Sequence, residues 1–330
     1  MLDFSNNLEV NLLSSFQWSL FSMFFSASST QSYLKNCYEK IAVENAEQKS
    51  YENCYPFIYY LEHGKVYYEQ AKIAPLIIQP ILLFYGLVHL LKACILTVDP
   101  NYPETTSVLA HGVSTRKRKK QQYHFFQDEV KFQKTGLFPF IAEKLFHMKQ
   151  LEGNKISMDH LLKQIPELDY LVYQLEKKQI FAEVEKEHNE FFIPKKVLDC
   201  FHMTENRFVD FFTSKTVEQY SFVRCDDSFI IFEKDEKKSY DFTPLKYNLT
   251  KNAFSLPLTR EVGLELHELL VHYLLLYNLS MIARYETEWW SELVKTMPNK
   301  DYPFIETFLQ ITLEKGPFLV YQFLMSKVPK

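Results

Sequence analysis

A short loop near the middle of the chain concentrates the residue types that bind phosphate and carboxylate groups. Gly112 allows a tight backbone turn that exposes main-chain amides, and hydroxyl and guanidinium donors follow it directly. The predicted ligand-binding residues are His111, Gly112, Ser114, Thr115, Arg116 and Arg118. Charge-assisted hydrogen bonds from such donors suit a phosphate-bearing small ligand or an acidic protein surface. A run of basic residues is also typical of a plain solvated loop, and that interpretation stays open.

Two polar residues interrupt an apolar stretch that precedes this loop. His89 and Lys92 lie three residues apart in FYGLVHLLKA, and a polar side chain that becomes buried needs a partner. We expect both residues to have a structural role, or to face a polar pocket together with His111.

A second structural group is predicted toward the C-terminus. Arg284 and Glu288 are spaced i, i+4, the spacing at which opposite charges pair on a helix. Because Trp289 is adjacent, we interpret these residues as an anchor between helices. A ligand pocket built from tryptophan and arginine is the alternative.

Metal, disulfide and cofactor chemistry are not expected. His267, Glu268 and His272 form HExxxH, and histidines five residues apart point about 140° apart on a helix, so they cannot share one ion. The five cysteines are widely spaced without a C-x-x-C pair, a pattern typical of reduced thiols in a cytosol. The seven glycines are isolated, which excludes phosphate-binding loops of the Rossmann and Walker types. We therefore predict neither a metal nor a cofactor.

Composition indicates a globular protein of the cytoplasm. The net charge of -4 gives no overall attraction to nucleic acid or to an anionic membrane. Residues 16–26 are apolar but follow acidic rather than basic residues, so a secretory signal is not expected. Residues 73–98 are long enough to span a bilayer. They contain Lys92 and two prolines, however, and we expect a buried core helix instead of a membrane span.

The elements that must position these residues change in character along the chain. Residues 1–178 are predicted to be mainly helical. In residues 179–258, β-branched and aromatic segments alternate with polar turns, which predicts a small antiparallel β-rich insertion. Leucines and tyrosines return at helical spacing in residues 259–330, which we expect to pack on the first helical part. The predicted fold class is mainly α (α+β), a helical bundle formed by the N- and C-terminal parts with a β-rich insertion.

Three strings resemble a known bacterial family. FYGLVHLLKA followed by HGVSTR, and the distal LSMIARYETEWW, resemble the YaaC-like family, with ARYxxExW as the most specific part. The resemblance extends over most of the chain and implies a cytoplasmic protein of Gram-positive spore-formers and their relatives. Some members lie beside the gene for IMP dehydrogenase, so the resemblance also points to purine metabolism and to that enzyme as a protein partner.

The helical parts are similar, more distantly, to HEPN domains, which are four-helix bundles associated with nucleotides or RNA. HEPN ribonucleases use an arginine to hold phosphate and a histidine to move a proton from the ribose 2′-hydroxyl. Arg260 and His267 fit this spacing and lie within about 20° of each other on one helical face. Arg118 and His124 fit it as well, in the basic loop. Helix capping and packing is the competing interpretation of Arg260 and His267.

Three functions are compatible with these features. The first is a non-catalytic interaction or regulatory protein that acts on an enzyme of purine-nucleotide metabolism. The second is a HEPN-like ribonuclease or nucleotide-processing enzyme, the one case in which nucleic acid would be a partner. The third is a module that senses a nucleotide or another anion through the loop from His111 to Arg116.

Overall fold

Helices form most of the structure. The computed structural model describes residues 17–115, 123–215, 220–234, 242–258 and 265–328. The predicted fold class, mainly α with antiparallel β structure, is confirmed. The α-helices are α1 (Ala27–Lys40), α2 (Ala46–Ile73), α3 (Gln79–Leu96), α4 (Leu137–Phe146), α5 (Met158–Leu162), α6 (Asp169–Glu176), α7 (Val197–Phe201), α8 (Glu205–Lys215), α9 (Glu268–Tyr285), α10 (Thr287–Thr296) and α11 (Asp301–Met325).

Nine short strands accompany these helices in the described part of the chain. They are β1 (Val113–Thr115), β2 (Glu129–Phe132), β3 (Lys155–Ser157), β4 (Phe181–Glu187), β5 (Glu190–Pro194), β6 (Tyr220–Cys225), β7 (Phe229–Lys234), β8 (Lys246–Asn248) and β9 (Ala253–Pro257). The first three form one antiparallel sheet in the order β1-β2-β3. The other six form a second sheet in the order β6-β7-β5-β4-β9-β8.

Contacts within the chain divide it into two compact units. The first unit combines residues 1–162 with residues 265–330, and the second comprises residues 163–264. The second unit contains the six-stranded sheet, whose buried face packs on α7 and α8 through an aromatic core. That core includes Phe191, Phe208, Phe212, Tyr220 and Phe232.

Helix α3 is the centre of the first unit. It packs against α2, α9 and α11, and its buried residues extend around most of its circumference. This explains why its sequence is apolar almost without interruption. By length and composition, α3 could also cross a membrane, but 72% of it is buried, and core helices of soluble proteins pass the same test. One such helix is weak support for a membrane span, and the absence of a span stays a prediction.

The three-stranded sheet belongs to this first unit and fixes the end of the loop that follows α3. Strand β1 pairs with β2 through Val113 opposite Phe132, and both side chains are buried. Just before β1, the backbone at Gly112 lies directly against the backbone at Gly136. Both glycines have positive φ, +76° and +126°, a region that residues with a Cβ rarely occupy. The loop is therefore held against the start of α4 by backbone contacts that need glycine on both sides.

Candidate functional site

The loop predicted to bind a ligand is built into the sheet at its described positions. The His111 carbonyl accepts hydrogen bonds from the Tyr273 hydroxyl at 2.8 Å and from the Phe138 amide at 3.1 Å. The Ser114 hydroxyl accepts from the Gln133 side-chain amide at 2.6 Å. The Thr115 hydroxyl accepts from the Asn278 side-chain amide at 3.4 Å. These hydroxyls therefore have bonds inside the protein, and the predicted residues Arg116 and Arg118 lie outside the described part of the chain.

The His111 ring contributes to a larger group of side chains. It lies against aromatic rings of α3 and α9, with centroid distances of 5.1 Å to Phe84, 6.4 Å to Tyr85 and 5.6 Å to Tyr277. Beyond Tyr85 the group continues along α2 and α3. We call it the cation–aromatic cluster and define it as Tyr60, His63, Tyr67, Tyr85, His89, Lys92, Tyr102, His111, Tyr277, Arg284 and Tyr285.

Helical spacing explains how the cluster forms. On α3, Tyr85, His89 and Lys92 are spaced by four and three residues, so they share one face. On α2, Tyr60, His63 and Tyr67 are spaced by three and four residues and form a matching face. These two faces meet around the imidazole of His89.

Rings of α2 surround the His89 imidazole. The Tyr67 ring stacks on it at 5.6 Å with an 18° angle between planes. The His63 ring lies at 5.1 Å and the Tyr60 ring at 6.0 Å. The Lys92 ammonium lies 5.6 Å from the centroid of the Tyr60 ring, within the range of a cation–π contact.

Arg284 brings a guanidinium to the same cluster from the end of α9. It donates to the Ser280 carbonyl at 3.0 Å and to the Tyr85 hydroxyl at 3.3 Å. Its guanidinium carbon is 5.9 Å from the centre of the Tyr85 ring and 5.3 Å from that of Tyr285. The guanidinium is thus held beside two aromatic rings and a main-chain oxygen.

Neither cation of the cluster has an acidic partner in the part of the chain that the structure describes. Lys92 and Arg284 are both partly buried, and no described carboxylate lies within ion-pairing distance of either one. Burial lowers the pKa of Lys92, as expected for an ammonium group that leaves water without a counter-ion. Partly buried cations without carboxylates favour the binding of an external anion.

The two central histidines of the cluster are neutral near pH 7. Burial, helped by the positive charges of Lys92 and His63, lowers the pKa of His89 to about 4. Burial also lowers the pKa of His111, and the charges of Arg284 and Lys92 contribute to this shift. The charges of both cations therefore act on His111.

Two polar atoms in or beside the cluster lack a hydrogen-bond partner among the described residues. They are Nδ1 of His89 and the hydroxyl of Tyr102, and both atoms are buried. Burial raises the pKa of Tyr102, and the charge of Tyr60, whose ring contacts His89, adds to the shift. Buried polar atoms in proteins are nearly always hydrogen-bonded, so each of these two atoms has capacity for a further ligand or an ordered water.

The low pKa of His89 makes stability depend on pH. Below about pH 6.5 the unfolded chain protonates this imidazole, whereas the folded protein does not until about pH 4. Acidification from pH 6.5 to 4 should therefore favour unfolding. Relative to His89→Gln, the wild type should lose about 1–2 kcal/mol more stability over this window, a figure reduced for partial exposure of the ring. Urea unfolding of both proteins at several pH values measures this difference.

Other titrating groups are common to both proteins in that comparison. Asp301, for example, has a pKa raised by burial, which acts in the opposite direction to His89 in both of them. Parallel stability curves for wild type and His89→Gln between pH 6.5 and 4 would contradict the buried, neutral state of His89.

The predicted pair between Arg284 and Glu288 is wrong. Helix α9 ends at Tyr285 and α10 begins at Thr287, so the two residues are not on one continuous helix. Glu288 is exposed, and Arg284 turns instead to Ser280 and Tyr85. Trp289 packs edge-on against Tyr123 at 4.7 Å, as a structural contact. The buried anchor is the next residue, Trp290, whose indole N–H donates to the Ile77 carbonyl at 2.9 Å.

The structure describes only one residue of the proposed catalytic pair. Arg260 lies outside the described residues. His267 precedes α9 as its N-cap, where Nδ1 accepts from the Leu269 amide at 3.2 Å. Its ring stacks on Phe146 at 3.9 Å. These contacts correspond to the capping and packing roles that competed with catalysis in the sequence.

Side chains of the HExxxH string contribute to a buried polar group. A ring nitrogen of His272 lies 2.9 Å from the Thr312 hydroxyl, and the Glu268 carboxylate lies 3.0 Å from the Lys315 ammonium. Within the described residues, no group of three or more His, Cys, Asp and Glu side chains is placed to hold a metal ion.

Most tyrosines of the cluster were not singled out in the sequence. Tyr60, His63 and Tyr67 lie in a string, YENCYPFIYYLEHGKVYYEQ, that is aromatic on several faces of its helix. The usable signal was the spacing of three and four residues that these positions share with Tyr85, His89 and Lys92 on the next helix. That spacing predicts one face on each helix but does not predict that the two faces meet.

Comparison with known proteins identifies a family. No curated protein and no solved structure matches the chain. A family model described as YaaC-like Protein matches residues 22–324, which cover all of the second compact unit, most of the first and every residue of the cation–aromatic cluster. The chain therefore belongs to the YaaC-like family.

Proposed function

We propose that this protein is a non-catalytic regulatory module that binds an anionic small ligand at the cation–aromatic cluster. The observation that carries the proposal is the presence of two partly buried cations, Lys92 and Arg284, with no carboxylate partner in the described structure. An anion bound beside these charges would offset part of the electrostatic cost of holding them away from water. Arginine in particular offers a planar set of donors that matches phosphate or carboxylate oxygens.

The neutral groups nearby suit the same role. Nδ1 of His89 and the Tyr102 hydroxyl are positioned in a buried environment without a described partner. Each can donate a hydrogen bond to an oxygen, the imidazole in the appropriate tautomer. A bound anion would also stabilise the imidazolium form of His89, so binding should be accompanied by proton uptake at mildly acidic pH.

The contacts of His267 favour a non-catalytic role over the ribonuclease alternative. A general base must present a free ring nitrogen to the proton that it removes. Here Nδ1 of His267 caps α9, and the ring is stacked on Phe146. A regulatory module would transmit ligand binding to a protein partner, which we propose to be an enzyme of purine-nucleotide metabolism on the basis of family resemblance.

Isothermal titration with inorganic phosphate and with pyrophosphate, at matched ionic strength, tests the anion site. We expect saturable binding by the wild type. Arg284→Gln and Lys92→Gln should each weaken it by about tenfold or more, because a hydrogen bond to a charged group contributes roughly 1.5–3 kcal/mol.

Lys155→Gln is the matched control. Lys155 is an exposed cation of the same compact unit, 3.4 Å from the Glu129 carboxylate and outside the cluster, so its variant should bind like the wild type. Absence of binding by the wild type, or equal weakening by all three variants, would contradict an anion site between Lys92 and Arg284.

A further inference from the structure

We infer that the anion bound at the cation–aromatic cluster is the phosphate of a nucleotide, whose base stacks on the exposed ring of Tyr285. This inference rests on the proposed anion site and names its ligand class. It is carried by an aromatic ring beside the Arg284 guanidinium, which has no carboxylate partner among the described residues, and this ring is more exposed than the guanidinium. Tyr285 is the last residue of α9, and 67% of it is exposed.

The position of Tyr285 relative to Arg284 is suited to two parts of one ligand. The guanidinium carbon lies 5.3 Å from the centroid of the Tyr285 ring. This distance is shorter than a phosphate and a ribose joined together. A phosphate held by the guanidinium therefore leaves the attached base within reach of the ring. The ring provides an apolar surface, and the guanidinium next to it provides charge.

Tyr285 is exposed, unlike the other tyrosines of its helix. The other tyrosines of α9, Tyr273 and Tyr277, are buried on the preceding turns. Tyr285 is instead presented at the point where α9 ends and the chain turns into α10. An exposed aromatic ring beside an arginine is a combination that can bind a nucleobase through stacking, since every base has a π-face.

Other aromatic rings of the cluster are less suited to receive the base. Tyr67 and His89 stack on each other, and Tyr85 is only partly exposed, whereas Tyr285 is exposed. Tyr277 is only 5% exposed. These rings shape and shield the phosphate site, while Tyr285 is the ring that a ligand can approach from solvent.

A free nucleotide fits better than RNA. Proteins that bind single-stranded nucleic acid use a positive groove that follows several phosphates, with aromatic side chains along it. The described cluster offers two cations that are positively charged at neutral pH, and the histidines between them are neutral. One phosphate group and one base account for these contacts.

Calorimetric titration of the full chain with guanosine 5′-monophosphate, adenosine 5′-monophosphate and ribose 5-phosphate tests the inference. All three carry the same phosphate on the same sugar position, but ribose 5-phosphate has no base. We expect at least one nucleotide to bind about tenfold more tightly than ribose 5-phosphate, a ratio within the range that base–aromatic stacking provides. Tyr285→Leu should abolish the difference in affinity between that nucleotide and ribose 5-phosphate, whatever it does to phosphate binding itself, because the ratio of the two affinities reports only the contribution of the base.

Tyr59→Leu is the matched control, because Tyr59 is 54% exposed on α2 and lies outside the cluster. It should bind all three ligands like the wild type. Equal binding of ribose 5-phosphate and both nucleotides would overturn the nucleotide inference and leave the anion site standing. Failure of all three ligands, together with inorganic phosphate, would overturn the anion site itself. If a ten-nucleotide RNA bound more than 100-fold more tightly than either nucleotide, the inference of a free nucleotide would be overturned and RNA would be the indicated ligand.

Discussion

Replacing Glu268 with alanine is expected to destabilise the protein by about 3–5 kcal/mol, since removing one partner of a buried ion pair leaves the other charge in a low-dielectric environment. The Glu268 carboxylate lies 3.0 Å from the Lys315 ammonium, and their side chains are 7% and 0% exposed. The pair joins the first turn of α9 to the middle of α11. Guanidinium chloride unfolding of Glu268→Ala against the wild type measures the loss.

Two further variants separate the ion pair from simple truncation. Glu129→Ala removes an exposed carboxylate 3.4 Å from Lys155, where the expected loss is below about 1 kcal/mol. The double variant Glu268→Leu with Lys315→Met replaces both charges with apolar groups and should recover most of the stability. If Glu268→Ala lost no more stability than Glu129→Ala, the buried pair would contribute no more to the free energy of unfolding than the exposed pair.

Gly136→Ala is the second substitution with a large expected effect, about 3–5 kcal/mol of lost stability. Gly136 has φ of +126° and ψ of -178°, a conformation that only glycine adopts readily. A Cβ at this position would also collide with the backbone of Gly112, and a backbone cannot move aside as a flexible side chain can. Strain and collision therefore add, and the loop that holds His111 should be displaced.

Gly153→Ala isolates the strain from the collision. Gly153 has φ of +81°, but no atom lies within 4 Å of a Cβ built there. Its expected loss is about 1 kcal/mol, the cost of a left-handed conformation alone. Thermal unfolding of the two variants compares them directly, and equal losses would mean that the close approach of Gly112 and Gly136 is relaxed in solution.

The sequence predicted those features that depend on residues close together in the chain. The apolar run containing Leu83, Leu87 and Leu90 predicted a helix at the centre of the protein, and α3 is that helix. Ser157, directly before the next helix, is a residue type that caps helices, and its hydroxyl accepts from the His160 amide at 3.2 Å. Such local signals are readable because capping and periodicity involve only neighbouring turns.

The prediction from residue spacing was wrong where it assumed a continuous helix. The i, i+4 spacing of Arg284 and Glu288 predicts a pair only if one helix passes through both, and the backbone at Glu286, with φ of -117° and ψ of 46°, interrupts it. The sequence has neither proline nor glycine at this point, so it gives no local signal for the break.

The candidate site could be anticipated only in part. His89 and Lys92 were expected to have a structural role or to face a polar pocket together with His111. Contacts with the rings of Tyr60, Tyr67 and Tyr85 connect the three residues, and the shared pocket stays a prediction. The contribution of α2 and of Arg284 depends on which helix faces meet. That is decided by packing between residues more than a hundred positions apart, as between Tyr85 and Arg284, and no spacing rule within one segment reaches so far.

The most direct measurement of the anion site is its location in crystals of the full chain grown with tungstate, an oxyanion with phosphate-like geometry and strong anomalous scattering. We expect an anomalous peak within hydrogen-bond distance of the Arg284 guanidinium and the Lys92 ammonium in the wild type. This peak should be lost in Arg284→Gln crystals of the same form. An occupied tungstate site elsewhere on the protein, with no peak between these two cations, would contradict the assignment of the cluster as an anion-binding site.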